Sequence, residues 1–82
     1  MPRYYFNIAD ASGLVLDDEG VELSDDGEAR AMAVTGARDI VATEAMIGQV
    51  DLSWHIDVMR DGALLFRLPF ADAFELSEGS AR

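Results

Sequence analysis

The chain has 82 residues, half of them hydrophobic, and its 16 acidic and six basic residues give a formal net charge of −10 at pH 7. A chain of this length folds as one domain around a single core, and the absence of cysteine excludes disulfides and thiolate metal sites. All six basic residues are arginines scattered along the chain, which argues against binding to nucleic acid or to an anionic membrane because both require clustered positive charge.

The first element is predicted to be a β-hairpin. Aromatic and β-branched side chains, which are typical of strands, fill residues 3–9, and alternation places Tyr4 and Tyr5 on opposite faces. Residues 10–13 carry the Asp, Ser and Gly of a turn, and the apolar residues 14–16 supply the returning strand.

A single long helix is predicted over residues 25–47. Asp25 and Glu28 resemble a capping box at its start, and Gly48 is a suitable stop at its end. The apolar stripe is made of small residues in its N-terminal half, which predicts a helix lying close over an aromatic sheet. Gly36 is expected to permit this close approach, which would offset its cost of about 1 kcal/mol in helix propensity.

The last part of the chain is predicted to form a second hairpin. Residues 54–60 alternate as a strand, and Asp61 and Gly62 are a strong turn signal. Residues 63–68 then return as a strand that ends at Pro69, because proline cannot donate to a ladder. Alternation predicts that the following side chains face the helix: Trp54, Ile56, Val58, Leu64, Phe66 and Leu68.

Together these elements predict an α+β fold of the order ββαββ, a four-stranded antiparallel sheet with one long helix packed on one face. A single domain is expected over residues 1–76, with 77–82 as a frayed tail. Residues 70–76 are predicted to form either a short helix or an irregular apolar flap. No apolar run approaches the roughly 20 residues that span a membrane, and the N-terminus lacks the features of a signal peptide, so we expect a cytoplasmic protein.

Four segments of the chain together resemble one family: MPRYYF (1–6), DEGVEL (18–23), EARA (28–31) and LPFADA (68–73). It is a domain-of-unknown-function family of short proteins from rhizobia and other alphaproteobacteria, and the resemblance covers residues 1–76. The chain departs from the family pattern at Tyr5, where phenylalanine is usual, and at Ser24, where proline is common. The resemblance implies a bacterial, cytoplasmic protein and supplies neither an activity nor catalytic residues.

Two groups of side chains are candidates for chemistry. His55 and Asp57 share one face of a strand, where such a pair is able to act as a general base, although an exposed strand histidine beside a charge is the more common case. Six carboxylates within residues 17–26 suit a hard cation such as Ca²⁺, but their spacing is not that of an EF-hand loop, and solvated or helix-capping charges explain them. We therefore expect no catalytic residue, no metal and no cofactor.

The face of the sheet opposite the helix is the strongest candidate for a binding surface. Tyr5, Met59 and Leu65 are expected there and make it more apolar than a water-facing sheet requires. Phe70 and Phe74 belong to the apolar segment 70–76, which either covers this face within the monomer or contributes with it to an interface with another chain. A homodimer or an intramolecular cover is favoured over a foreign partner, since closed two-fold dimers are the commonest oligomers.

Three roles fit the sequence. The favoured one is a small non-enzymatic interaction or regulatory module that acts through its outer sheet face or its acidic surface. The second is an acidic decoy or antitoxin-like partner of a basic protein, because an acidic surface steers basic partners, although the same charge also serves solubility alone. The third is a small hydrolase or metal-dependent enzyme that uses His55 or the acidic segment.

Overall fold

An antiparallel sheet and one long helix make up the computed structural model, which describes residues 1–10 and 12–74. The elements are β1 (Arg3–Asp10), β2 (Gly13–Val15), β3 (Val21–Glu22), α1 (Asp26–Met46), β4 (His55–Arg60), β5 (Ala63–Pro69) and the short 3₁₀ helix η1 (Phe70–Ala73). The α+β class predicted from the sequence is confirmed. Residue 11 of the predicted turn, residues 75–76 of the predicted domain and the predicted tail at 77–82 lie outside the described residues.

The strands follow the order β2-β1-β4-β5, and all pairs are antiparallel. The described residues contain five strands rather than the predicted four, because Val21 and Glu22 form the two-residue strand β3 beside Tyr4 and Arg3. Since β4 occupies the other side of β1, the strands β2 and β3 lie along successive parts of the same β1 edge.

The helix begins and ends where its capping residues predict. The Asp25 carboxylate accepts a hydrogen bond from the Glu28 backbone N–H at 2.8 Å, and the Glu28 carboxylate accepts one in return from the Ser24 backbone N–H at 2.8 Å. At the other end Gly48 has a φ of +86° and its N–H donates to the Ala45 carbonyl. In the part of the chain that the structure describes, no helix combines the length and apolar character needed to cross a bilayer.

The core lies between α1 and the inner face of the sheet, which is the face that carries Tyr4. The buried hydrophobic side chains are Tyr4, Leu23, Ala29, Ala33, Ala37, Val41, Ile56, Val58, Leu68, Phe70 and Ala73. The small helix residues among them confirm that α1 lies close over larger side chains. The prediction that Gly36 permits this close approach is wrong, because a Cβ built on Gly36 meets no atom within 4 Å.

The pairing of β4 with β5 is interrupted by a β-bulge between Val58 and Met59. Before the bulge Phe66 pairs with Val58, and after it Leu64 pairs with Met59, so one residue of β5 is left over. Because side chains alternate at period 2, this extra residue moves Leu64 to the face opposite the helix. The prediction that Leu64 faces the helix is therefore wrong.

The segment that follows β5 packs on the helix side of the sheet. Phe70 is only 1% exposed, and its ring centroid lies 5.7 Å from that of Trp54. The Arg38 side chain donates to the Ala73 carbonyl at 2.5 Å and ties η1 to α1. Residues 70–74 therefore lie on the helix side and leave the opposite face of the sheet uncovered. For these residues, the predicted alternative of a cover over that face is wrong.

Candidate functional site: the outer face of the sheet

The outer face is the side of the sheet that points away from α1. Cross-strand partners share a face, so the register assigns it the following residues: Arg3, Tyr5, Asn7, Ala9, Leu14, Glu22, His55, Asp57, Met59, Leu64, Arg67 and Pro69. Neither α1 nor η1 lies on this side among the described residues.

The apolar part of the outer face is a row that crosses three strands. Tyr5 of β1 pairs with Met59 of β4, which pairs with Leu64 of β5. Leu64 is 51% exposed, whereas Tyr5 and Met59 are half-buried by their neighbours. Leu65 is the bulge residue next to this row and is 37% exposed. The row is therefore an apolar surface in contact with solvent.

The ring of Tyr5 is bordered at the sheet edge by Gly20. Gly20 has a φ of +70°, and a Cβ built on it would lie 2.8 Å from Cε2 of Tyr5. The chain therefore passes close along the ring, and only glycine fits both this contact and this backbone conformation.

The polar part of the outer face consists of balanced ion pairs. Arg67 binds the Asp57 carboxylate through two hydrogen bonds of 2.6 and 3.0 Å, and Arg3 lies 3.4 Å from the carboxylate of Glu22. The hydrogen bond from Arg67 holds the pKa of Asp57 below its ordinary value, against the opposing effect of burial. With His55 neutral, this face carries no net charge on a chain whose total is −10.

His55 and Asp57 share a face as predicted, but they do not form a close pair. The distance between His55 Nε2 and Asp57 Oδ1 is 3.7 Å, and the same Oδ1 accepts the 2.6 Å hydrogen bond from Arg67. A carboxylate held in this way with a lowered pKa is a weak proton acceptor and orients Arg67 rather than the imidazole. The arrangement is that of a charge-balanced surface.

The acidic segment supplies an internal anchor through Asp17. Its carboxylate accepts hydrogen bonds from the backbone N–H groups of Phe6, Glu19 and Gly20 at 3.1, 3.1 and 3.0 Å, and its own N–H donates to the Asn7 side chain. Partial burial raises the pKa of Asp17, but the three backbone donors outweigh it and lower the pKa below its ordinary value.

Asp17 thus bonds to the edge of β1 between the parts that pair with β2 and β3. Its carboxylate oxygens are occupied by backbone N–H groups instead of being free to bind a cation. Over residues 1–10 and 12–74 no group of three or more His, Cys, Asp or Glu side chains is arranged to hold a metal ion.

A second polar cluster fixes the start of α1 to the sheet. The Tyr4 hydroxyl donates to the Asp26 carboxylate at 2.6 Å, and Arg60 donates to the same oxygen at 2.8 Å. The hydrogen bond from Tyr4, followed by that from Arg60, lowers the pKa of Asp26, and the Tyr4 pKa is raised by the same bond. Tyr4 is fully buried, so this cluster is a structural anchor of the helix.

The residues predicted to form an interface are placed on two different sides of the sheet. Tyr5 and Met59 pair on the outer face with Leu65 beside them, whereas Phe70 is in the core on the helix side and Phe74 packs against that core. Two large exposed apolar residues of the outer face were missed by sequence reasoning, namely Leu64 and the 55% exposed Leu14. Leu64 was missed because the bulge leaves no signal in the alternation.

Comparison with known proteins gives a family and no function. The model of the domain of unknown function DUF6894 matches residues 3–71, which is most of the chain. No curated protein matches the chain. No solved structure matches it either.

Proposed function

This chain belongs to the DUF6894 family, a domain of unknown function, and we propose that it is a small non-enzymatic interaction module that works through the outer face of its sheet. The observation that supports this role is the apolar row of Tyr5, Met59 and Leu64, which neither α1 nor η1 covers and in which Leu64 is 51% exposed. Exposed apolar surface on a small domain is typical of an interface. The cytoplasmic location stays a prediction from the sequence.

The occupant that we propose for the outer face is a second copy of the chain. Two molecules that each carry −10 repel each other over most of their surface, but the outer face is neutral because Arg67 is paired with Asp57 and Arg3 with Glu22. Two outer faces therefore approach at the lowest electrostatic cost. The alternative role as a hydrolase built on His55 gains nothing from this geometry, because Asp57 is bound by Arg67.

The size of the outer face predicts a weak dimer. The sheet is four strands wide, because β2 and β3 share one edge of β1, and a length of about six residues gives a projected area of roughly 20 Å by 20 Å. This is about half of the roughly 800 Å² that each partner contributes to a standard interface. We expect a dissociation constant in the micromolar range or weaker, roughly 10–500 μM, which would let association respond to the concentration of the protein.

Leu64→Lys tests the proposal because it places a charge on the most exposed residue of the apolar row. Sedimentation velocity of the full chain from about 10 μM to about 1 mM is expected to show a concentration-dependent dimer for the wild type, with a dissociation constant raised at least about tenfold by the substitution. Association of the wild type is expected to strengthen with salt, because salt screens the repulsion between two acidic chains.

Met46→Lys is the matched control for this test. Met46 is also an exposed apolar residue, but it lies in the last turn of α1, away from the outer face. The same charge change there is expected to leave the dimer unaffected. A wild-type chain that stays monomeric at about 1 mM, or a dimer that tolerates Leu64→Lys as well as Met46→Lys, would remove the basis for the proposal.

A further inference from the structure

A second apolar surface lies on the other side of the molecule, between α1 and β1. It is a groove of about 240 Å³, here called the helix groove, and Gly36 forms a notch in its wall. Its apolar lining consists of Phe6, Ile8, Met32, Ala33, Ile40 and Ile56. The groove exists because α1 packs chiefly against β4 and η1, which leaves the β1–β2 half of the inner face without a cover. Met32 is 42% exposed at its border.

The charged residues of α1 are divided between its two sides. Arg30 lies over the Phe66 ring at 4.4 Å and Arg38 is bonded to the Ala73 carbonyl, so both cations of the helix are held on the side of β5 and η1. The opposite side, next to Met32 and Gly36, carries the carboxylates of Glu28 and Asp39. These two carboxylates line a separate shallow depression that shares Met32 and Gly36 with the helix groove, so they lie beside its helix wall and are here called its acidic rim. Glu28 also accepts the capping hydrogen bond from Ser24, which leaves Asp39 as the freer charge.

We propose that the helix groove binds a basic amphipathic helix of another protein, with apolar side chains on the floor and lysine or arginine against the rim. The groove runs from Met32 to Ile40, which is about 12 Å along the axis of α1 at 1.5 Å per residue. Anchors at positions i, i+3, i+4 and i+7 of a bound helix cover almost the same length. A second copy of the chain is a poor occupant, because it brings carboxylates against Glu28 and Asp39.

This inference goes beyond the outer-face dimer, because the two surfaces lie on opposite sides of the sheet and share no residue. The probe is a peptide of about 18 residues made of leucine and lysine only, with leucine at helical spacing, long enough to be helical on binding. Titration into the ¹⁵N-labelled full chain is expected to shift the amide signals of residues 32–40 and of β1. Raising the salt from about 50 mM to about 300 mM is expected to weaken binding about tenfold, the opposite of its effect on the dimer.

Gly36→Leu is the decisive variant. A Cβ at this position meets no atom within 4 Å, so we expect the leucine side chain to fill the notch, and leucine is a better helix former than glycine. We expect peptide affinity to fall at least about tenfold while the melting temperature stays the same or rises. Leu64→Lys, on the outer face, is expected to bind the peptide as the wild type does, so failure of the dimer and failure of the helix groove are distinguishable.

Asp39→Lys tests the acidic rim, with Asp72→Lys as the matched control. Both aspartates are exposed, but Asp72 belongs to η1 on the other side of α1. The first substitution is expected to weaken peptide binding about three- to tenfold and the second much less.

Several outcomes of the peptide experiments would overturn the proposal. They are peptide-induced shifts centred on the outer face, unchanged affinity of Gly36→Leu, a scrambled leucine–lysine peptide that binds as well as the segregated one, and no binding at about 1 mM peptide. A dimer that Gly36→Leu disrupts would assign the groove to a second copy instead and would overturn it equally.

Discussion

Replacing Gly20 with alanine is expected to lower the free energy of unfolding by about 2–4 kcal/mol. Gly20 has a φ of +70°, a conformation that costs an L-residue about 1–2 kcal/mol. The added Cβ would also lie 2.8 Å from the Tyr5 ring and 2.9 Å from the Tyr4 carbonyl oxygen. The carbonyl is part of the backbone of β1 and cannot move aside cheaply, so overpacking adds to the backbone strain.

Urea unfolding followed by the fluorescence of Trp54 measures this loss, and Gly36→Ala is its control. The same chemical change at Gly36 adds a methyl group to open space within a helix, so we expect a gain of about 0.5–1 kcal/mol. The two substitutions should therefore differ in sign. Equal effects at the two positions would show that the contact between Gly20 and Tyr5 does not exist.

The elements that sequence reasoning predicted well are governed by residues close together in the chain. The start of α1 is marked by the capping pair Asp25 and Glu28, and its end is marked by Gly48. Both signals are local, because capping hydrogen bonds join residues three or four positions apart. The β4–β5 hairpin turns at Asp61 and Gly62, both of which have positive φ. Helix caps and tight turns are specified by a few neighbouring residues, so they are predictable without knowledge of the rest of the fold.

The features that were missed depend on contacts between distant segments. Alternation alone places Leu64 on the helix side, and only the pairing of β5 with β4 reveals the bulge that moves it to the outer face. Gly36 was interpreted as a contact residue because helical periodicity identifies an apolar stripe, but periodicity does not say how much of the sheet the stripe covers. The off-centre position of α1, which leaves the helix groove open, follows from its packing against Phe70 and β4.

Asp17 shows the same difficulty for the candidate site. Within the sequence it is one of six neighbouring carboxylates, and nothing local separates it from Asp18. In the fold its oxygens meet the N–H of Phe6, eleven residues away, as well as two N–H groups of its own loop. A cluster that resembled a cation site or a solvated loop is thus partly a connection between the acidic segment and the edge of β1.

Asp17→Asn is expected to lower the free energy of unfolding by about 2 kcal/mol at pH 7. One carboxylate oxygen accepts from Phe6 and the other accepts from Glu19 and Gly20, whereas an asparagine amide has only one oxygen. The NH₂ group of the asparagine would face either the N–H of Phe6 or the N–H groups of Glu19 and Gly20, and the N–H groups that it faces would lose their acceptor. Asp18→Asn removes the same charge from an exposed residue whose carboxylate bonds to none of the described residues, and we expect it to change stability by less than about 0.5 kcal/mol.

The pH dependence separates the hydrogen bonds of Asp17 from the general effect of acid on this chain. Because folding lowers the pKa of Asp17 below its ordinary value of 3.8, its stabilisation is complete above that value and is lost as the pH falls through the folded pKa. The difference in unfolding free energy between the wild type and Asp17→Asn should therefore be constant at neutral pH and shrink as the pH falls below 3.8. Urea unfolding across this range measures it. A difference that matches that of Asp18→Asn at pH 7, or that grows in acid, would show that Asp17 does not anchor the edge of β1.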